Sequence, residues 1–240
     1  MLTKRFYIRE ILDSSDVVLP AVRRLYESSL SVREQIPWEW ISRAADGSRA
    51  WLPDKKRRHL TVVQSKGKEE KPLGFTFGTY IPRFGGYICY VAVDPMARGL
   101  GVATALYQNF YALMKEDAQM NGTTLPFVIW ESHPPQSDDP EEWENWKARL
   151  RLFEKTGGYW IKGVKFLAPD YMNETNHPLE LKLFIAPQEK PLTWFTPHRL
   201  QKIVRGLYRH VYHLDSRDSL VKQTLESMNQ LELVPANYAI

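Results

Sequence analysis

A single cysteine, Cys89, stands in a chain of 240 residues, so no intrachain disulfide can form. Its place in the most apolar run of the sequence points to packing rather than redox or nucleophilic work. Long hydrophobic runs are also missing: the longest, Tyr87 to Val93, falls far short of the about 18 residues of a membrane-spanning helix. The first nine residues are charged and alternating, without the apolar centre of a signal peptide. A cytoplasmic protein with no membrane association is the expectation. Charge of one sign is lacking too. The 32 basic and 28 acidic residues leave a net charge of +4, far from the concentrated basic stripe of a nucleic-acid binder, so no nucleic-acid partner is expected. No metal site is assigned.

What is present is the composition of an ordinary globular protein, 43% hydrophobic and 25% charged. The length suits one sizeable domain with an appendage. Phe6, Ile8 and Glu10 alternate with Tyr7, Arg9 and Ile11, which predicts a first strand, and Val18, Val22, Leu25 and Tyr26 share one face of a helix from about Val17 to Ser28. A short helical stretch from Pro37 to Ala45 carries Trp38 and Trp40, and a basic loop from Arg49 to Arg58 follows it, with Trp51 inside. Three strands come next in meander order, Leu60 to Gln64, Leu73 to Ile81 and Tyr87 to Val93.

After Val93 the period changes to helical, with Ala103, Leu106, Phe110, Leu113 and Met114 recurring at three- and four-residue steps until Asn121-Gly122. Leu125 to Trp130 is a compact apolar strand. Asp139-Pro140-Glu141-Glu142 then places a capping carboxylate, a first-turn proline and two acids in the order that starts a helix, and Gly157-Gly158 ends it. Tyr159 to Phe166 and Leu179 to Ile185 complete the strands. A proline-rich linker leads to two amphipathic helices, one marked by Leu200, Ile203, Val204, Leu207 and Val211, the other running from Leu220 to Leu231.

Chemistry concentrates in Val91-Ala92-Val93-Asp94-Pro95-Met96-Ala97-Arg98-Gly99-Leu100-Gly101-Val102-Ala103, a strand that passes through a short loop into a helix start. The first amides of a helix have no intrahelical partner, so they can receive a phosphate with help from the helix dipole. Gly99 and Gly101 remove side chains that would hold a pyrophosphate away, and Arg98 adds positive charge. The pattern is neither the G-x-G-x-x-G fingerprint, since Thr104 stands at the third glycine, nor a Walker loop, since no G-K-[ST] occurs.

The run Arg98-Gly99-Leu100-Gly101-Val102-Ala103 matches R/Q-x-x-G-x-G/A and resembles the coenzyme A pyrophosphate motif of the GNAT superfamily of N-acetyltransferases. The context resembles the family too: a strand ending Val-Ala-Val-Asp before it, a helix and a strand after it, then Leu152-Phe153-Glu154-Lys155-Thr156-Gly157-Gly158-Tyr159. The resemblance covers roughly residues 5 to 186. It implies an α/β (α+β) fold with a mixed, mostly antiparallel sheet whose central strands splay, flanked by helices. A GNAT domain over 1–187 and a C-terminal helical extension over 188–240 follow.

The resemblance further implies acetyl-CoA as cosubstrate. Val91 and Val93 would pair through their backbone with its pantetheine, the amides of residues 98 to 103 would hold its pyrophosphate, and Phe153 would pack against it. The implied reaction is direct attack of a primary amine on the thioester, which needs a base. Glu131 is the first candidate and His133 the second. Many members carry a proton-donating Tyr where this chain has Phe153, so the acid is Tyr107, Tyr159, water or nothing. Tyr87 occupies a strand position where some members carry a glutamate base. The acceptor is an amine-bearing small molecule or protein. A homodimer contact through the tail helices, and a non-catalytic acyl-CoA-binding module, stand as alternatives.

Overall fold

The computed structural model describes residues 6–46, 56–66, 71–172 and 177–240. Trp51, most of the basic loop and the centre of the Lys66–Lys71 turn lie outside the described residues. The chain folds as two compact units. The first takes the chain up to Pro82, Ile88–Thr123 and a short piece that starts at Tyr171, and the second takes Arg83–Tyr87, Thr124–Asp170 and the chain from Thr175 on. Among the described residues, no helix is long and apolar enough to cross a membrane.

In the first unit, β1 (Phe6–Glu10), β2 (Arg57–Ser65) and β3 (Pro72–Ile81) pair antiparallel, with β4 (Gly85–Val93) beside β3. Alternation along β2 decides which helix covers which face. Val62 joins a core of Ile11, Val22, Leu25, Tyr26, Ile41 and Phe75 under α1 (Leu19–Ser29) and α2 (Trp38–Ser42). Val63, the next residue, joins Phe6, Ala97, Val102, Ala105 and Leu106 under α3 (Val102–Met120). With both faces covered, β2 is buried without interruption from His59 to Gln64, Thr61 and Gln64 included.

The sequence places the start of β2 at Leu60, but the strand begins at Arg57 and buries two charged-looking residues. His59, 1% exposed, sets Nδ1 2.6 Å from Glu10 on β1 and Nε2 2.6 Å from Asp117 on α3. Asp117 also accepts from Arg57 at 2.8 Å. These partners come from distant parts of the chain, so the composition of residues 57–59 alone reads as loop. Cys89 is half-buried against the first core.

In the second unit, the first residues of β4 pair parallel with β5 (Phe127–Ser132) through Gly86↔Val128 and Tyr87↔Ile129. Strand β5 continues antiparallel to β8 (Leu179–Pro187), and β8 to β6 (Tyr159–Lys162). The predicted strand over Tyr159 to Phe166 is two strands, since β7 (Phe166–Ala168) pairs with a different stretch of β8. Helix α4 (Pro140–Lys155) starts as the sequence predicts, with the Asp139 carboxylate accepting from the Glu141 amide. Its Phe153 packs with Trp130 of β5 and Phe184 of β8, the three rings within 6.1 Å of one another.

The tail differs most from the sequence reading. Helix α5 (Pro197–Leu207) runs into a π-helical turn, Tyr208–Tyr212, so Tyr208 takes the buried place that the periodicity assigns to Val211. The second predicted helix, α6 (Ser219–Glu226), ends early, and β9 (Glu232–Pro235) adds to the free edge of β6. Sheet pairing is a long-range choice, and the leucine spacing over 220–231 cannot reveal it. Residues 188–240 thus contribute a strand as well as helices to the second unit.

Candidate functional site

The segment from Val91 to Ala103 belongs to the first unit. Strand β4 ends at Val93, and the Asp94 carboxylate accepts from the Met96 amide at 2.8 Å, closing a 3-10 turn over Pro95–Ala97. The Asp94 amide donates to the Leu73 carbonyl at 2.9 Å and anchors the turn to β3. Two left-handed residues then reverse the chain into α3: Gly99 at φ +78° and Gly101 at φ +81°. A side chain at either glycine would meet nothing within 4 Å, so the requirement is backbone conformation together with an open surface.

Arg98, Gly99, Leu100 and Gly101 are exposed, and Val102 turns inward at 1% exposure to fix the helix start in the core. Ala103 is half-buried on the first turn. Open glycines, an exposed Arg98 and the unpartnered first amides of a nineteen-residue helix suit a phosphate group. Val91 and Val93 pack against the second core cluster. Tyr107 is 3% exposed on α3, its ring 6.0 Å from that of Tyr111.

The second unit holds the candidate base. Glu131 lies near the C-terminal end of β5, which extends through Ser132 rather than stopping at Trp130. Its Oε1 accepts from the Tyr87 hydroxyl at 2.6 Å and from the Tyr212 hydroxyl. Its Oε2 is out of solvent and has no hydrogen-bond partner among the described residues. Burial pushes the carboxyl up to about 7, against the lowering effect of the Tyr212 and Tyr87 hydroxyls. A carboxyl poised there is half ionised at neutral pH, the range in which a general base is most effective.

The sequence marks Tyr87 only through the resemblance, at a strand position where some members carry a glutamate; in the structure its hydroxyl donates to Glu131. Tyr212 had no signal in the sequence beyond its spacing of four from Tyr208. His133 follows Glu131 by two residues and is half-buried where the chain leaves β5. Phe153, 5% exposed, sits in the ring cluster with Trp130 and Phe184. Trp38 packs on the first core and Trp40, 45% exposed, lies edge-on to Tyr171. Among the described residues, no three His, Cys, Asp or Glu side chains are grouped to hold a metal ion.

Residues 19–127 match the model of the acetyltransferase (GNAT) family. The fold is similar to that of a Bacteroides thetaiotaomicron protein assigned to the GNAT acetyltransferases, with 16% identity over 87% of this chain and 99% of that one and a TM-score of 0.56. Ard1 from Thermoplasma volcanium is 22% identical over 77% of this chain and 99% of its own, with a TM-score of 0.49. The ribosomal-protein-S18-alanine N-acetyltransferase of Escherichia coli is 14% identical over 78% and 96%, with a TM-score of 0.48. No curated protein matches the chain. The architecture is that of the first of these structures: a mixed, mostly antiparallel open sheet flanked by helices.

Proposed function

We propose, from the premise that this chain carries a domain of the acetyltransferase (GNAT) family and is an acyltransferase, that it moves an acetyl group from acetyl-CoA to a primary amine, with Glu131 as general base. The observation that carries this reading is the buried Glu131 carboxylate, with one oxygen held by two phenols and the other unengaged among the described residues.

The amides at the start of α3 and the Arg98 side chain hold the pyrophosphate, and the backbone of Val91 and Val93 extends toward the pantetheine arm. Gly99 and Gly101 keep the cradle open. Leu100, Val102 and Ala103 serve through their backbone, so their side chains matter little to the cofactor. Phe153 supports the strand that carries the base through its contact with Trp130.

An ammonium has no lone pair, so the acceptor enters as the neutral amine. Its nitrogen lone pair forms the C–N bond while Glu131 takes the proton that the nitrogen sheds, the C–S bond breaks, and its electron pair leaves on sulfur. The thiolate takes its proton from Tyr107 or from water, and Tyr107→Phe separates the two. His133 lies two residues beyond Glu131, where the chain leaves β5, and its replacement tests whether it shares the base's work.

The test is thiol release from acetyl-CoA over an amine panel, with intact-mass detection of the product. Turnover that depends on Glu131 supports the proposal. Coenzyme A binding with no acetyl transfer to any amine would replace it by the rival, a non-catalytic acyl-CoA-binding module, which the burial of Phe153 where relatives carry an acid would then explain.

A further inference from the structure

Glu131 is not held by the family-matched segment alone. One of its two donors, Tyr212, comes from the C-terminal segment, far beyond residue 127, where the family match ends. The turn that delivers it is built for a fixed position. The Leu214 amide donates to the Tyr208 carbonyl at 3.1 Å, and His213 closes the turn in a left-handed conformation at φ +57°. Such wide turns re-aim the residues that follow them and recur at functional sites.

Tyr208 locks the turn from inside. Its hydroxyl donates to the Leu167 carbonyl at 2.7 Å and lies 2.6 Å from Thr224 Oγ1. Phe166 stacks on Tyr208 at 4.9 Å and meets Tyr212 at 5.8 Å, so the Tyr212 ring has a packed support. The same segment grips the start of β4. Gly206 lies so close to Phe84 that an added Cβ would come within 2.6 Å of its ring, and His210 packs on that ring at 5.3 Å. Tyr87, the other donor, follows Phe84 by three residues.

Both hydroxyls go to Oε1, and Oε2 stays buried without a partner among the described residues. A buried carboxylate oxygen in that state calls for a partner that arrives with the reaction. We infer that Tyr212 is a positioning residue for Glu131: it pins Oε1, with Tyr87, so that Oε2 is the oxygen presented to the acceptor's N–H. The C-terminal segment is then a working part of the site. The inference rests on the reading of Glu131 as the base.

The ionisable groups that face the carboxyl are Tyr87 from β4 and Tyr212 from the π-helical turn, with Tyr208 behind it. The register partner on β8 is the apolar Leu183. A phenol that donates to a carboxylate favours the ionised form, so Tyr212→Phe should raise the Glu131 midpoint.

Two readouts test this on the full chain: carboxyl-carbon NMR titration of Glu131, and kcat/KM for thiol release against pH. In Tyr212→Phe both midpoints should move alkaline by about one pH unit, so that turnover drops about fivefold at pH 7 and returns at higher pH. Tyr87→Phe should move them in the same direction. A uniform loss of turnover at every pH with an unmoved midpoint is what a merely structural tyrosine would give, and it overturns the inference. A carboxyl midpoint that moves in Tyr212→Phe while the wild-type protein acetylates no amine would sink the acetyltransfer reading and leave the Tyr212 hold standing. Should Tyr212→Phe not fold, fluorotyrosine incorporated into the wild-type chain supplies a more acidic donor. The midpoint must then fall, and an unmoved one overturns the inference.

Discussion

Tyr87 and Glu131 stand two residues apart in the parallel register of β4 and β5, where Tyr87 pairs with Ile129, and the Tyr87 hydroxyl still reaches Glu131 Oε1 at 2.6 Å. Residues two apart on a strand share a face, so the phenol and the carboxylate meet along it rather than across a rung.

This pair makes a prediction for Glu131→Gln. The amide keeps the shape but cannot take a proton, so turnover at neutral pH should fall by about a hundredfold to ten-thousandfold, the range of a lost general base. Because burial raises the wild-type carboxyl to about 7, wild-type turnover should decline as pH falls through that value, where the base becomes protonated. A Glu131→Gln enzyme with full turnover, or a wild-type acid limb near the ordinary carboxyl value of about 4.3, speaks against the assignment.

Gly101→Ala tests the cradle. At φ +81° an L-residue is disfavoured by about 1 to 2 kcal/mol, and no neighbour lies within 4 Å to add a clash. Thermal unfolding should therefore show a modest loss of stability, with weakened protection by coenzyme A. Gly101→Glu should abolish that protection, since it adds a negative charge where a pyrophosphate is to sit. Undiminished stabilisation of Gly101→Glu by coenzyme A would move the cradle elsewhere.

The His59 cluster predicts how stability follows pH. Burial lowers the imidazole's proton affinity, but hydrogen bonds to Asp117 and Glu10 outweigh it, and the net shift is upward. A group whose folded value is raised gives its full contribution below its unfolded value of about 6.5 and loses it as pH rises through the folded value. The melting temperature should thus fall on the alkaline side of neutrality. His59→Gln should flatten that dependence and cost about 3 to 5 kcal/mol, since Asp117 and Glu10 lose a buried cationic partner. A wild-type melting temperature that climbs from pH 6.5 to 9 would contradict this.

Gly206→Ala addresses the tail. An added methyl would come within 2.6 Å of the Phe84 ring, which is itself packed edge-on to Phe127 at 5.3 Å. Overpacking of this kind costs about 1 to 3 kcal/mol. Urea denaturation should register that loss, and an unchanged midpoint would mean that α5 and the Phe84 turn separate freely.

The sequence by itself determined most helices, most strands and the strand-turn-helix segment from Val91 to Ala103, because each depends on residues close together in the chain. Val91 to Ala103 carries its own strand, turn, glycines and helix start, and the Asp139 cap with Pro140 fixes α4 in the same local way. Only tertiary structure decided the surroundings of Glu131. Its donors lie 44 and 81 residues away, and its proton affinity is set by the water those neighbours exclude. The same holds for His59 and Arg57, whose burial needs Glu10 and Asp117, and for β9, which exists because β6 offers a free edge. Period and composition register what a residue prefers in isolation; desolvation and edge pairing arise only once remote segments meet.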